Sequence, residues 1–230
     1  MSRLDDLIAK LCPDGVEYKC LAEAVNVSRG VRVVKSQLEN EGAFPVYQNS
    51  RTPLGYYSKS NCSAETAFII GAGAAGEIGY SSVEFWAADD CFYFECTKNL
   101  QSRYLYHVLL NQQVNILSKV RRASIPRLAR SVVEGLLIPI PPLPVQQEIV
   151  RILDNFTELT AELTAELTAE LTARKKQYEY YRDELLTFGD DVPMIALGDT
   201  CNLKSGKAVS SSLISTQKDE RTPIACFGEK

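Results

Sequence analysis

The stretch LLIPIPPLPVQQEIVRILDNFTELTAELTAELTAELTARKKQYEYYRDELLTF, residues 136–188, decides the fold. Prolines 139, 141, 142 and 144 cannot continue a helix and force an extended, stiff approach. From Val145 to Phe188 there is neither glycine nor proline, so one long helix is expected over 145–188, with Gly189 placed to cap it. Inside it FTEL is followed by TAEL three times and then TARK, so Leu159, Leu163, Leu167 and Leu171 recur every four residues. At about 100° per residue each unit overshoots a full turn by about 40°, so the leucine stripe drifts round the rod, unlike a heptad seam. Leu153 and Phe156 before the repeat, and Tyr178, Tyr181 and Leu185 after it, extend the apolar face along most of the helix's ~65 Å. Alone, such a helix leaves that face wet, so a second helix is expected against it. Each tetrad is also a natural ruler, worth ~6 Å of length and ~40° of rotation. The PxxP spacing is a poor peptide ligand, because its flanks are apolar rather than basic.

Outward from the helix, residues 1–144 mix short β-rich runs (Ala67–Gly71, Cys91–Cys96) with helical stretches such as Ser102–Ser118. Residues 189–230 return to loop and strand composition. DGVEYKCLAEAVNVSRG at 14–30 aligns with DDVPMIALGDTCNLKSG at 190–206, an offset of 176, and FPVYQN at 44–49 aligns with TPIACF at 222–227 after a two-residue slip. A second copy of the first domain is therefore expected to begin near residue 190 and to stop about forty residues in. The domains expected are 1–144, 145–188 and 189–230.

The 230 residues, 45% hydrophobic and 23% charged, have the balance of a chain able to bury a core. No apolar run reaches membrane-spanning length and the N-terminus lacks a secretory h-region, so a cytoplasmic, non-membrane protein is expected. Seven scattered cysteines without a CxxC pair, and a single histidine, point to reduced thiols and no metal site. The net charge of −4 hides an uneven distribution: residues 145–191 hold 11 acids and 5 bases, leaving the rest at +2. Lys119, Arg121, Arg122, Arg127 and Arg130 crowd into twelve positions without an acid.

Several motifs do not carry the chemistry they resemble. GAGAAG at 71–76 fits a dinucleotide fingerprint, but the following residues have no helical period, so strand–turn–strand is expected. PDGVEYK at 13–19 resembles a metal-dependent nuclease signature, yet only two residues separate Asp14 from Glu17, too few for carboxylates on neighbouring strands. Cys91 or Cys96 with His107 is read as core, not as an acyl-transfer pair. No catalytic residue is expected.

Binding remains. PVYQNSRTPLGYYSKSN at 45–61 supplies amides, hydroxyls and cations. Gln48, Asn49, Ser50, Arg51 and Lys59 are candidates for DNA contact, with Gln48 and Asn49 suited to base edges. KVRRASIPRLAR at 119–130 adds Lys119, Arg121, Arg122, Ser124 and Arg127 for phosphates, and the loop Gly71–Gly79 is expected against the DNA backbone. The competing reading is a coiled-coil adaptor in which residues 1–144 bind protein.

Three segments give the chain a family resemblance: PDGVEYKCLAEA at 13–24, IPIPPLPVQQEIVRILDNF at 138–156, and RKKQYEYYRDELL at 174–186, with the TAEL tandem between the last two. The chain resembles the specificity subunit of type I restriction–modification systems. The resemblance implies a mixed α/β (α+β) target-recognition domain followed by a long coiled-coil-type helix. It implies a subunit without catalytic residues or cofactors of its own, reading one half of a split double-stranded DNA site. Modification subunits would bind S-adenosylmethionine and methylate adenine, and restriction subunits, with ATP and Mg, would join outside. Family members are nearly twice as long, with two recognition domains held apart by two antiparallel helices. A chain with one domain and one helix is therefore expected to form a homodimer.

Overall fold

The computed structural model describes residues 2–39, 41–189, 191–202 and 204–206. The chain divides into two compact units, 1–167 and 168–230. In chain order the first unit contains α1 (Arg3–Leu11), β1 (Tyr18–Cys20), α2 (Leu21–Ala24), β2 (Val25–Arg29), β3 (Phe44–Tyr47), β4 (Gly55–Tyr57), β5 (Thr66–Ile70), β6 (Ile78–Ser81), β7 (Trp86–Ala87) and β8 (Cys91–Cys96). Then come α3 (Ser102–Asn111), α4 (Gln113–Ser118), α5 (Arg130–Glu134), β9 (Leu137–Pro139) and the start of α6 (Leu143–Leu186).

The central sheet has the order β2-β8-β5-β6, every pair antiparallel. Its β5, TAFII, is buried at all five positions because both faces are covered. Alternation sends Ala67 and Ile69 to one side, where α3 supplies Tyr104, Leu105 and Leu109. Phe68 and Ile70 go to the other, with Phe85 and Cys91. On that second side the sheet β4-β3-β7 approaches, and Tyr47 packs tilted against Phe68 and edge-on to Phe85, at 4.6 and 5.4 Å between centroids. Strands β1 and β9 pair as a separate two-stranded ribbon. The fold is mixed α+β followed by a long helix, as the sequence predicts.

Some boundaries move. The long helix runs Leu143–Leu186 rather than 145–188. Pro144 lies in its first turn, where no backbone N–H is needed, and Val145 and Gln146 both donate to Pro142 O. The expected helix over Ser102–Ser118 breaks at Gln112, which leaves the α region (φ −93°, ψ 3°) and donates its side-chain amide to Leu137 O at 2.6 Å. GAGAAG is a turn between β5 and β6, and Cys91–Cys96 is a strand, both as expected.

A larger difference concerns where the head ends. The first turns of α6 belong to it: Val145, Gln146, Glu148 and Val150 are buried. Gln146 is fully enclosed and uses its whole amide, accepting from Gln101 N at 2.9 Å and donating to Asn99 O and Pro141 O at 2.8 Å each. Asp154 is the last residue of α6 that is not exposed; every described residue from Asn155 to Gly189 is open to solvent. All the expected packing positions, Leu153, Phe156, Leu159, Leu163, Leu167, Leu171, Tyr178, Tyr181 and Leu185, are exposed. The threonines turn inward on their own helix: Thr160 Oγ1 donates to Phe156 O and Thr164 Oγ1 to Thr160 O, both at 2.7 Å.

In the second unit α7 (Leu197–Thr200) lies 176 residues after α2, the same offset as the sequence repeat. Its flanking backbone repeats too. Ala196 has φ −64°, ψ 141° where Cys20 has −63°, 142°, and the N–H after each helix donates to its first residue's carbonyl. The matched segment at 222–227 lies outside the described residues.

Candidate nucleic-acid interface

The segments that the sequence offers separately meet around residues 71–76. After β3 the chain leaves the sheet through Gln48–Ser50, and Asn49 O accepts from Ala74 N at 2.9 Å. The approach is close: a Cβ on Gly73 would lie 2.8 Å from Asn49 Cβ, and Gly73 also holds φ +82°. Only glycine satisfies both demands. On its other side the same turn binds the basic segment, with Gly73 N donating to Pro126 O at 3.2 Å and Leu128 N to Gly71 O at 2.8 Å. That segment is itself closed by reciprocal bonds between Arg121 and Arg127, at 2.9 and 3.1 Å. Leu128, buried in the core, fixes it from below.

Between the turn and the basic segment lies a cavity of about 530 Å³, whose lining includes Gly71, Phe92 and Leu128. Its walls carry Arg29, Lys119, Arg121, Arg127 and Arg130, against Asp89 and Asp90. Only Arg130 has a salt-bridge partner among the described residues, Glu134 at 2.7 Å. The backbone positions two of the guanidinium groups: Arg29 Nε donates to Asp89 O at 2.6 Å and Arg130 Nη2 to Val27 O at 2.8 Å. Five donor-only side chains against two carboxylates around one concavity suit a polyanion, and a planar guanidinium matches phosphate oxygens.

The expected site residues divide. Lys119, Arg121 and Arg127 line the cavity, while Arg122 and Ser124 are exposed on the loop closed by the Arg121–Arg127 pair. Asn49 is exposed and Gln48 half-buried beside the glycine turn. Ser50 Oγ accepts from Thr52 N at 3.0 Å. Arg51 joins the cluster through an ion pair with Glu77 at 3.2 Å. Lys59 is exposed on the segment after β4 and takes no part in these contacts. Sequence reading missed Arg29, Asp89 and Asp90. The signal available for Arg29 was its neighbour Gly30, where a Cβ would lie 2.3 Å from the carbonyl oxygens of Ala87 and Ala88.

The motifs set aside as chemistry have structural settings. Burial pushes the Cys62 thiol to about 12, the Cys96 thiol to about 11 and the Cys91 thiol well above its ordinary value, so all three are poor thiolates. His107 Nε2 lies 2.8 Å from Asp154 Oδ1. Asp14 is exposed in a turn closed by Gly15 N donating to Cys12 O, and Glu17 pairs with Lys19. Among the described residues no three His, Cys, Asp or Glu side chains group as a metal would require, and no helix is long and apolar enough to cross a membrane.

Comparison with known proteins points one way. Residues 13–173 match the type I restriction modification DNA specificity domain. A Haemophilus influenzae protein described as a type I restriction enzyme specificity subunit is 37% identical over 226 residues, 94% of this chain and 58% of its own length. The Escherichia coli EcoprrI specificity subunit is 51% identical over 89 residues, 37% of this chain and 22% of that protein. The crystal structure of the type-I restriction-modification S subunit from M. genitalium shares the fold, with a TM-score of 0.60 at 20% identity over 86% of this chain and 56% of that one. The chain spans about half the length of the relatives it matches.

Proposed function

The chain belongs to the family of type I restriction–modification DNA specificity subunits, and on that premise we propose that its head reads one half of a bipartite double-stranded DNA site. The observation that carries this reading is that the 119–130 segment lines one cation-walled cavity and is tied through the glycine turn to the Asn49 segment. Arg29, Lys119, Arg121 and Arg127 hold phosphates; Gln48 and Asn49 reach base edges. The chain docks modification subunits that bind S-adenosylmethionine and methylate adenine, and restriction subunits using ATP and Mg join that complex. Catalysis belongs to those partners. The protein works in the cytoplasm, where its DNA is.

The apolar stripe of α6, exposed at every expected packing position, calls for a second helix against it, and we assign that helix to another copy of the chain. The apolar order of α6 supports an antiparallel pairing centred on Leu167. About that centre Leu163 faces Leu171, Phe156 faces Tyr178, Leu153 faces Tyr181, and Glu158 faces Lys176. An isologous interface of this kind buries the leucine stripe of both copies at once. Residues 189–230 are the start of a further recognition domain, a reading supported by the repeat of α2 in α7.

A gel shift on random-sequence DNA with the modification subunit present tests the DNA reading. The R121A/R122A double variant should bind every sequence more weakly, its log K against log salt slope flatter by about 0.9 for each phosphate it no longer neutralises. Unchanged affinity and slope would return both arginines to a solvated face. A wild-type complex that shifts no DNA would favour the adaptor reading.

A further inference from the structure

The junction where α6 leaves the head holds a second cluster of polar side chains, sharing no residue with the cation-walled cavity. Arg103, Tyr106 and His107 share one face of α3, at i, i+3 and i+4. Arg103 Nε donates to both carboxylate oxygens of Asp154 on α6, at 3.0 and 3.1 Å, and its Nη2 lies 2.9 Å from Oδ1. His107 Nε2 meets Oδ1 at 2.8 Å. The guanidinium lies over the rings of Tyr80 and Tyr106, 4.6 and 5.1 Å from their centroids. Tyr80 in turn donates its hydroxyl to Glu65 Oε2 at 2.5 Å. Glu65 holds φ +57°, the left-handed region that non-glycine residues seldom adopt.

Apolar packing does not close this junction. A cavity of about 590 Å³ lies there, lined by Glu65, Tyr80, Gln101, Arg103, Val150 and Asp154. Hydrophobic contact alone tolerates sliding and tilting, whereas a forked guanidinium–carboxylate pair fixes direction. Gln146 anchors the start of α6 with three hydrogen bonds, and Asp154 anchors it again eight residues on, ~12 Å along the axis. Two such points define an axis. From Asp154 to Leu167 there are 13 residues, a rise of ~20 Å, so a tilt of about 10° at the anchor displaces that point by ~3.4 Å, one base-pair step.

We propose that Arg103, His107 and Asp154 form a latch that sets the angle at which α6 leaves the head, making them positioning residues for the gap between half-sites. Glu65, Tyr80 and Tyr106 hold the latch's guanidinium in place. The proposal rests on the reading of the head as a half-site reader, and it adds that the gap is fixed by this junction as well as by helix length.

Methylome sequencing of cells carrying the full chain and its modification subunit tests it. D154A should keep both half-sites but methylate at gaps one base pair shorter and longer, to within about tenfold of the native gap, the scale of one charge-assisted bond. D154E, which retains the carboxylate, should restore a single gap. A single native gap with D154A overturns the proposal. If D154A abolishes methylation at every gap, R103K decides: it keeps the charge and loses the fork, so a broadened gap supports the latch and a single gap overturns it. A wild-type complex with no bipartite motif overturns the half-site reading and the latch together, whereas a bipartite wild type with an unmoved variant gap overturns the latch alone.

Discussion

The two stretches of α6 follow opposite rules. From Leu143 to Asp154 the sequence is irregular, its polar residues other than the exposed Gln147 are enclosed or paired, and each contact is specific: Gln146 to three backbone groups, Glu148 to Arg151 and Arg3, Asp154 to Arg103 and His107. From Phe156 to Lys175 the sequence is repetitive, every described residue from Asn155 to Gly189 is exposed, and threonine hydroxyls return to the helix's own carbonyls. The first stretch is unsuited to insertion, because one added residue would rotate Gln146 or Asp154 by about 100° away from its partners. The second accepts whole tetrads while the head's own bonds stay in place. One helix thus combines a fixed attachment with an adjustable length.

Substitutions in the two stretches should therefore fail in different ways. The largest effect is expected in the repeat. Replacing Leu163 and Leu167 with alanine removes four leucines from the proposed symmetric pairing, about 6 kcal/mol at ~1.5 kcal/mol each. Light scattering should show dimer becoming monomer, while the head melts as before; a variant that stays dimeric would place the interface elsewhere. Gln146→Ala should do the reverse. It leaves Gln101 N–H, Asn99 O and Pro141 O without their partner and should cost about 3 kcal/mol of head stability in chemical denaturation. A loss below about 1 kcal/mol would mean water replaces the amide freely.

The smallest effect concerns Asp154. Burial works to raise its pKa, but the hydrogen bonds and charges of Arg103 and His107 outweigh it, and the carboxyl is held below its ordinary range. A folded-state value below the unfolded one means stability that is complete above the ordinary aspartate value of ~3.9 and lost as pH falls through the lowered one. Because Asp154 is 36% exposed, solvent screening keeps the contribution small. D154N should melt about 2–4 °C below wild type at neutral pH, the difference closing in acid as Asp154 protonates beside Arg103, His107, Tyr80 and Glu65. A difference that persisted into strong acid would assign it to shape rather than charge.

The sequence made the helix legible because a four-residue repeat without glycine or proline has few other folded forms. Its start was misplaced because Pro144 reads as a breaker, although the first turn tolerates it. The division between head and helix was misplaced for a different reason. Gln146 and Asp154 look like ordinary polar positions until Gln101, Arg103 and His107, some 45 to 50 residues earlier, are brought against them. The same holds at the candidate interface. The cations of 119–130 are visible as composition, but their placement beside Asn49 depends on pairing with residues 71–73, more than fifty positions away. Arg29 carries no local signal except its glycine neighbour, and Lys59 shares its segment's composition without sharing its site.

If α6 is the spacer between two base-reading heads, its length must set their separation, and deletion of one tetrad, residues 164–167, tests this most directly. Methylome sequencing of the variant with its modification subunit should show the same two half-sites with a gap altered by about one or two base pairs, since a tetrad carries ~6 Å and ~40° against ~3.4 Å per step. Altered half-sites at an unchanged gap would contradict it.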